Sequence, residues 1–162
     1  MSESCLDGLG LLVDIDVQRY ARHISLPQVG LEGQRNLIGS RVLVVGAGGL
    51  GSPALLYLAA AGIGHIGIVD DDIVDLSNLQ RQVIHSTATI GQLKVESASN
   101  RLLELNPGLE VSTYGVRLSP ENIESILKEG WDVVIDGTDN LPTRYLLDDA
   151  CFLQKIPWVY GS

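Results

Sequence analysis

The stretch that decides the fold is residues 41–51, which read RVLVVGAGGLG. Its first five residues are an apolar, mostly β-branched run that ends at a glycine, a pattern typical of a buried parallel strand. The glycines then match the GxGxxG spacing, and an apolar, alanine-rich helix is predicted over residues 50–61. Such glycines let the backbone approach phosphates, which bind against the N–H groups at the start of a helix. The candidate nucleotide-binding glycines are Gly46, Gly48, Gly49 and Gly51.

Outward from this turn, strands and helices alternate along the rest of the chain. Short β-branched or aromatic runs predict four more strands, and longer segments with helical periodicity separate them. Because this alternation is typical of α/β proteins, we predict a Rossmann-like, doubly wound parallel sheet. The further strands are predicted over residues 66–69, 110–114, 133–136 and 158–160, and the further helices over residues 91–105, from Ser119 onward, and over residues 143–155.

The chain is predicted to divide into three regions. Residues 1–16 are interpreted as a loose leader. Residues 17–40 carry two predicted N-terminal helices, one over residues 17–26 that proline ends and one over residues 32–38 that glycine ends. Residues 41–162 form the Rossmann-like, nucleotide-binding domain.

Composition narrows the class of protein. The chain is 45% apolar and 19% charged, which favours a packed domain over disorder. Its formal net charge of −9 argues against a nucleic-acid or anionic-membrane surface. The longest plainly apolar run, residues 54–61, is too short to cross a bilayer. Since the N-terminus shows no targeting pattern, we expect a cytoplasmic protein.

Cysteine and histidine do not predict a metal site. Cys5 and Cys151 form no CxxC pair, and we interpret both as buried or bystander thiols. His23, His65 and His85 are too far apart for a local metal-binding motif.

Charged residues follow the glycine turn at positions that suit a nucleotide. Asp70 ends the second predicted strand, where it can accept hydrogen bonds from ribose hydroxyls. Arg81 and Lys94 come next, and two cations suit a triphosphate better than NAD. Asp139 follows the fourth predicted strand, at the sheet edge that carries the glycine turn, and can hold Mg²⁺ on the phosphates.

Each of these residues also has an ordinary structural explanation. The glycine turn could serve helix–strand packing, Arg81 could form a surface ion pair, and Lys94 could be solvated in the first turn of a helix. Asp139 could cap the helix that begins before Leu141 and Pro142. The nucleotide site is therefore favoured by the residues in combination.

The sequence resembles the MoeB/ThiF/HesA family, bacterial relatives of the ubiquitin-activating enzymes. The resemblance covers roughly residues 17–162 and rests on six short sequence motifs, which occur in the same order as in members of the family. These are RYARH at residues 19–23, GAGGLG at 46–51, DDD at 70–72, NLQRQ at 78–82, GQLKV at 91–95 and TDN at 138–140.

The resemblance implies a role for each matching site residue. Arg22 would be donated across a homodimer to the ATP phosphates, and Asn78, Arg81 and Lys94 would contact the phosphates directly. Asp70 would accept from the ribose, and Asp139 would be the Mg²⁺ residue. The further nucleotide-binding residues that it implies are Ser77, Leu79, Gln80 and Asn140.

The activity implied is ATP-dependent adenylation of the C-terminal glycine carboxylate of a ubiquitin-like sulfur-carrier protein ending in Gly-Gly, with release of pyrophosphate. A carboxylate is already nucleophilic at neutral pH, so positioning and charge stabilisation suffice and no general base is required. Family members continue beyond the part matched here, with a carrier-binding sheet and a zinc site of CxxC pairs. We therefore expect Zn²⁺ only outside this chain, and we expect these residues alone not to adenylate a carrier.

Other functions remain open at this stage. An NAD-dependent oxidoreductase would share the glycine turn and Asp70, but would leave Arg81, Lys94 and Asp139 unexplained. A non-catalytic subunit or scaffold of an activating enzyme is a second alternative, and the tRNA-modifying branch of the family is a third. The residues do not choose between molybdopterin, thiamine and other pathways.

Overall fold

The computed structural model describes residues 14–161, and its centre is a five-stranded sheet in the order β3-β2-β1-β4-β5. Every neighbouring pair is parallel. The strands are β1 (Arg41–Val45), β2 (His65–Val69), β3 (Glu110–Tyr114), β4 (Val133–Asp136) and β5 (Trp158–Tyr160), and the helices are α1 (Asp14–Arg19), α2 (Ala21–Ile24), α3 (Gly30–Gly39), α4 (Gly51–Ala61), α5 (Lys94–Leu105), α6 (Ile123–Leu127) and α7 (Leu141–Gln154). This order confirms the predicted doubly wound sheet.

The direction of winding reverses at β1. From β1 the chain passes outward to β2 and β3, and then returns to the other side of β1 for β4 and β5. In the register, Val45 pairs with both Val69 and Asp136, so the carboxyl ends of the three central strands lie at one edge. Ligands of doubly wound sheets bind in the crevice at such a reversal.

The sheet is buried on both faces because successive side chains of its strands alternate between two cores. Val42 and Val44 belong to the core formed with α4 and α5, whereas Leu43 and Val45 belong to the core formed with α6 and α7. All four are at most 3% exposed. This explains why the strand sequence is a continuous apolar run rather than an alternating one.

The N-terminal helices pack at the amino edge of the sheet. The Arg19 guanidinium donates to the Leu105 carbonyl at 2.9 Å, and the Gln34 amide donates to the Ala61 carbonyl at 2.9 Å. Both acceptors are at the C-terminal ends of the helices that cross the sheet, where backbone carbonyls lack partners within the helix. The first three helices therefore lie at the end of the domain opposite the glycine turn.

The structure divides the first predicted N-terminal helix into two short helices. Tyr20 interrupts it with φ −103° and ψ 14°, a conformation outside the regular helix. The buried Tyr20 hydroxyl accepts a hydrogen bond from the Asn106 amide at 3.0 Å, which fixes the interruption. Helix α1 also begins at Asp14, inside the predicted leader, whose residues 1–13 lie outside the described part of the chain.

Two later helices begin further along than predicted. Helix α5 begins at Lys94 rather than 91, because Gly91 has φ +87° and Leu93 is extended. Helix α6 begins at Ile123 rather than near Ser119, because Ser119–Asn122 form a turn in which the Ser119 carbonyl accepts from the Asn122 N–H at 3.2 Å. Among the described residues, no helix combines the length and apolar character that a membrane span requires.

Candidate functional site

The glycine loop between β1 and α4 is shaped by close backbone contacts. Gly46 has φ +94°, a region that favours glycine. At Gly51, a Cβ atom would lie 1.8 Å from the Gly46 carbonyl oxygen, so only glycine fits there. Gly137, after β4, packs against the same two residues. The two loops at the winding reversal are thus in direct contact.

Asp70 fixes the loop from the end of β2. One oxygen of its carboxylate accepts the Ala47 N–H at 2.8 Å and the other accepts the Asp72 N–H at 2.9 Å. A carboxylate oxygen has a second lone pair, so Asp70 can still accept from a ligand hydroxyl. Asp70 lies at the end of β2, beside the glycine loop, as the sequence predicts, and its role as a ribose acceptor stays a prediction.

Lys94 is the first residue of α5 and is only 4% exposed. Its ammonium donates to Asp72 Oδ2 at 2.7 Å, and the Asp72 side chain is 67% exposed. The Lys94 N–H also donates to the Asp72 carbonyl, at 2.9 Å. Among residues 14–161 the one ion-pair partner of this buried lysine is exposed to solvent, which contradicts the simple alternative that Lys94 is a solvated helix residue.

Arg81 lies over the glycine loop. The Arg81 side chain is the nearest group to the position that a Cβ on Gly49 would take, at 3.6 Å. Its guanidinium donates to the Ser77 carbonyl at 3.3 Å. The turn that carries it is capped by Asp75, and hydrogen bonds from the Ser77 hydroxyl and N–H lower the pKa of the Asp75 carboxyl. The surface ion pair considered as the alternative for Arg81 is not among the ion pairs of residues 14–161.

The loop after β4 brings a third set of residues. Asp136 is fully buried and accepts from both the N–H and the hydroxyl of Thr138, at 2.8 and 2.7 Å. Asn140 caps α7, since its side-chain oxygen Oδ1 accepts the Thr143 N–H at 3.0 Å. The helix cap considered for Asp139 is therefore supplied by Asn140, and Asp139 is exposed.

These loops enclose a cleft of about 740 Å³ at the carboxyl edge of the sheet. Nine of the predicted residues line it, while the remaining five do not. The nine are Gly46, Gly48, Gly49, Asp70, Asn78, Arg81, Lys94, Asp139 and Asn140. The five are Arg22, Gly51, Ser77, Leu79 and Gln80.

The five residues outside the cleft have identifiable places. Gly51 is buried beneath the loop, and Ser77, Leu79 and Gln80 belong to the turn that presents Asn78 and Arg81. Arg22 is exposed on α2, at the opposite end of the domain.

Sequence reasoning missed several residues that line the cleft. Gln82 is 4% exposed, and its side-chain oxygen has no hydrogen-bond partner among the described residues. Gln82 is the last residue of the NLQRQ motif, and this motif could have identified it as a residue of the cleft. Residues 116–118 form another wall, and no motif in the sequence marks them.

Comparison with known proteins agrees with the family resemblance described above. The ThiF family profile matches residues 20–162. The chain is 52% identical over 147 residues to the probable adenylyltransferase/sulfurtransferase MoeZ of Mycobacterium tuberculosis, covering 91% of this chain and 37% of that protein. It is 50% identical over 146 residues to the SAMP-activating enzyme E1 of Haloferax volcanii, covering 90% and 54%. The chain thus spans between about a third and about half of these relatives.

A solved structure shows the same fold. The chain superposes with a TM-score of 0.87 and 30% identity on the tRNA N6-threonylcarbamoyladenosine dehydratase TcdA of E. coli, whose crystal structure holds ATP. The match covers 91% of this chain and 60% of that one.

Proposed function

The chain belongs to the ThiF family, and from that premise we propose that it is the ATP-binding part of an adenylyltransferase that activates a ubiquitin-like sulfur-carrier protein. The observation that supports this most is that Arg81 and Lys94 line one cleft together with the glycine loop and Asp70. A glycine loop with one carboxylate would suit many nucleotides. Two cations in the same cleft fit a triphosphate and a departing pyrophosphate.

The reaction is attack by the terminal glycine carboxylate of the carrier on the α-phosphorus of ATP. The new carboxylate–phosphorus bond forms as the bond to the bridging oxygen breaks, and pyrophosphate leaves with the electron pair. Lys94 and Arg81 would stabilise the charge that develops on the departing phosphates. Asp70 would hold the ribose and so set the position of the α-phosphorus relative to the entering carboxylate.

Mg²⁺ would be held on the phosphates by Asp139. The hydrogen bonds of the cleft carboxylates favour this choice. Asp70 already accepts two backbone N–H groups, and Asp72 pairs with Lys94. Asp71 and Asp139 accept no hydrogen bond from residues 14–161, but Asp139 follows the loop that touches the phosphate-binding glycines, whereas Asp71 lies at the ribose end. When bound, the ion would neutralise phosphate charge.

Arg22 would act in the site of a second subunit. Within one chain it lies near the C-terminal end of α4, and the glycine loop lies at the other end. The eleven residues of α4 separate these ends by roughly 16 Å, more than an arginine side chain spans. Donation across a two-fold axis of a homodimer would bring Arg22 to the phosphates without rearranging the fold.

Similarity favours the carrier-activating branch over the tRNA-modifying branch. Identity is 52% to the adenylyltransferase/sulfurtransferase and 30% to the dehydratase, over similar shares of this chain. The names of those relatives describe adenylyl and sulfur transfer for the Mycobacterium protein and an activating enzyme for the Haloferax protein. An NAD-dependent oxidoreductase would have no use for the two cations of the cleft.

The experiment that tests this proposal compares nucleotides and then carriers. We expect the chain to bind ATP·Mg²⁺ in preference to NAD by at least about tenfold, because only ATP uses both cations. Carrier-dependent exchange of labelled pyrophosphate into ATP by a longer protein that contains this chain, extended to the length of its relatives, would establish adenylation. Preference for NAD, or exchange driven by tRNA and not by a Gly-Gly carrier, would overturn the assignment.

A further inference from the structure

Asp136 and Arg144 form an ion pair beside the loop that carries Asp139. Asp136 is the last residue of β4 and is fully buried, whereas Arg144 is in the first turns of α7 and its side chain is 23% exposed. Arg144 Nε lies 3.5 Å from Asp136 Oδ2. Neither residue lines the cleft, and neither has a part in the function proposed above.

Stability alone is a weak explanation for this pair. Removing two charges from water costs free energy, and their attraction repays it only where hydrogen bonds satisfy both groups. Here Asp136 Oδ2 and Arg144 Nε are both buried without a hydrogen-bond partner among the described residues. The remaining contacts of the two side chains therefore need an explanation of their own.

Those contacts meet at Thr138. Asp136 Oδ1 accepts the Thr138 N–H at 2.8 Å and the Thr138 hydroxyl at 2.7 Å. Arg144 Nη2 donates to the Thr138 carbonyl at 3.4 Å. The pair thus holds the peptide before Thr138 by its N–H and the peptide after it by its carbonyl. Because a peptide is planar, the second contact also fixes the direction of the Asp139 N–H.

Asp139 depends on its backbone for its orientation. Its side chain is exposed and accepts no hydrogen bond from residues 14–161. The residue after it, Asn140, is anchored through the cap of α7, where its Oδ1 accepts the Thr143 N–H at 3.0 Å. Asp139 therefore lies between two anchored neighbours, one held by the ion pair and one held by the helix.

The Arg144 guanidinium is itself fixed from β5. Nη2 also donates to the Gly161 carbonyl at 3.0 Å, and the guanidinium carbon lies 4.9 Å from the centre of the Tyr160 ring. An arginine NH₂ group carries two hydrogens, so it can serve both carbonyls. A planar guanidinium held by an aromatic ring, a carboxylate and two carbonyls is well suited to hold a loop in one conformation.

We propose that Arg144 is a positioning residue for the Mg²⁺ site, acting with Asp136 to hold Thr138 so that the Asp139 carboxylate faces the phosphates. The proposal rests on the proposed function, because it takes Asp139 as the Mg²⁺ residue. Arg144 acts through Asp139 and touches neither the nucleotide nor the ion. If Arg144 only joined β5 to α7, its loss would lower stability without changing the response to Mg²⁺.

Titration calorimetry with ATP, in Mg²⁺ and in EDTA, separates these roles. Arg144→Met should reduce the gain in ATP affinity that Mg²⁺ gives by about fivefold, the loss of one net hydrogen bond, and should change the affinity in EDTA by less than about twofold. Adding Asp139→Ala should leave ATP·Mg²⁺ affinity within about twofold of Asp139→Ala alone, since residues that act as a unit are not additive. Additive losses, or an unchanged Mg²⁺ gain in Arg144→Met, overturn the proposal.

Arg41→Met is the matched control. The Arg41 guanidinium also lies over an aromatic ring, 5.2 Å from the centre of Trp131, and it donates to the Gly130 carbonyl at 2.7 Å. These contacts are at the amino edge of the sheet, opposite the cleft. The variant should lower the melting temperature and leave the Mg²⁺ gain unchanged. A loss of the gain equal to that in Arg144→Met would indicate a general loss of stability and refute the positioning role.

A second variant covers the case in which Arg144→Met does not fold, because it leaves a buried carboxylate unpaired. Asp136→Asn combined with Arg144→Met removes both charges, and an asparagine oxygen can still accept from Thr138. This double variant should show the same fall in the Mg²⁺ gain. A gain equal to that of the wild type would overturn the proposal.

NMR order parameters of the ligand-free chain test the mechanical step without ATP. The Asp139 amide should have an order parameter of about 0.85 in the wild type, as in rigid backbone, and should fall toward about 0.6 in the folded Arg144 variant. Arg41→Met should keep the wild-type value. An unchanged value in the Arg144 variant contradicts the proposal. If the wild type binds no ATP or gains nothing from Mg²⁺, the proposed function fails, while the order parameters still decide whether Arg144 holds the loop.

Discussion

Replacing Lys94 by methionine removes one charge from the centre of the site and little else. Methionine has a similar length and volume, so the aliphatic stem packed beneath the cleft is retained. The lost partner, Asp72, is 67% exposed and becomes hydrated, so the folded state should lose under about 1 kcal/mol. The melting temperature should fall by at most about 4 °C for a chain of this size.

The effect on ATP should be much larger than the effect on stability. The Lys94 ammonium lies in a buried position where it is shielded from water, and a hydrogen bond to a charged group contributes about 1.5–3 kcal/mol. The expected loss of ATP affinity is therefore about 10- to 100-fold. If Lys94 interacts more strongly with departing pyrophosphate than with bound ATP, the same substitution should lower the pyrophosphate-exchange rate of the longer protein by about 10²- to 10³-fold.

Lys128→Met is the matched control for this experiment. Lys128 also pairs with one carboxylate, that of Glu124 at 2.6 Å, but the pair is exposed on α6 and away from the cleft. Titration calorimetry with ATP·Mg²⁺ and a thermal melt of each variant give the required values. If Lys94→Met binds ATP as tightly as Lys128→Met does, Lys94 serves only to anchor Asp72 and the phosphate assignment is wrong.

Three other predictions concern the dimer, the glycine loop and the buried thiol. Homodimers of the longer protein that carry Arg22→Ala or Asp139→Ala should be inactive. Mixing the two variants should restore about a quarter of the exchange activity, since about half of the dimers are then mixed and each mixed dimer has one intact site. An inactive mixture in which subunit exchange is confirmed would show that Arg22 does not act in trans. Gly51→Ala should lower the melting temperature by about 2–10 °C, because the added Cβ overlaps the Gly46 carbonyl oxygen. Gly39→Ala is the control and should change the melting temperature little, since the space around Gly39 is open. Equal melting temperatures of the two variants would contradict the close contact at Gly51. Burial raises the pKa of Cys151 to about 11, so its thiol should not react with iodoacetamide at a pH of about 8 until the chain is denatured. Peptide mass spectrometry measures the modification, and rapid labelling of the folded chain would refute this prediction.

The local chemistry of the glycine turn could be predicted from the sequence because it depends on neighbouring residues. The strand over Arg41–Val45 and the helix after it have the predicted places, and the contact of Gly51 with Gly46 explains the spacing. Asp70 was predictable for a similar reason, since the end of the second strand must lie beside the end of the first in a parallel sheet.

The burial of Gln82 and His85 beside the glycine loop could not be predicted, because it depends on how residues 70–93 fold back onto that loop. This connection is long, and its two short 3₁₀ turns, Leu76–Asn78 and Thr87–Thr89, leave no periodic pattern. The predicted start of α5 at residue 91 was wrong for the same reason. Gly91 adopts a positive φ to end the connection, and a pattern of apolar residues cannot distinguish that from a helical glycine.

The connection from β2 to α5 is closed at its base, and this closure brings Arg81 to the glycine loop. The Val74 N–H donates to the Gln92 carbonyl at 2.8 Å, and the Gly91 N–H donates back to the Val74 carbonyl at 2.9 Å. Residues 75–90 therefore form an excursion that is closed by an isolated antiparallel bridge next to Val74, and Arg81 at its middle reaches Gly49. P-loop proteins supply their phosphate-binding lysine from the glycine loop itself. Here the glycine loop carries no lysine, and a separate hydrogen-bonded excursion brings Arg81 to it. This arrangement would suit the proposed reaction, which needs positioned cations and no general base.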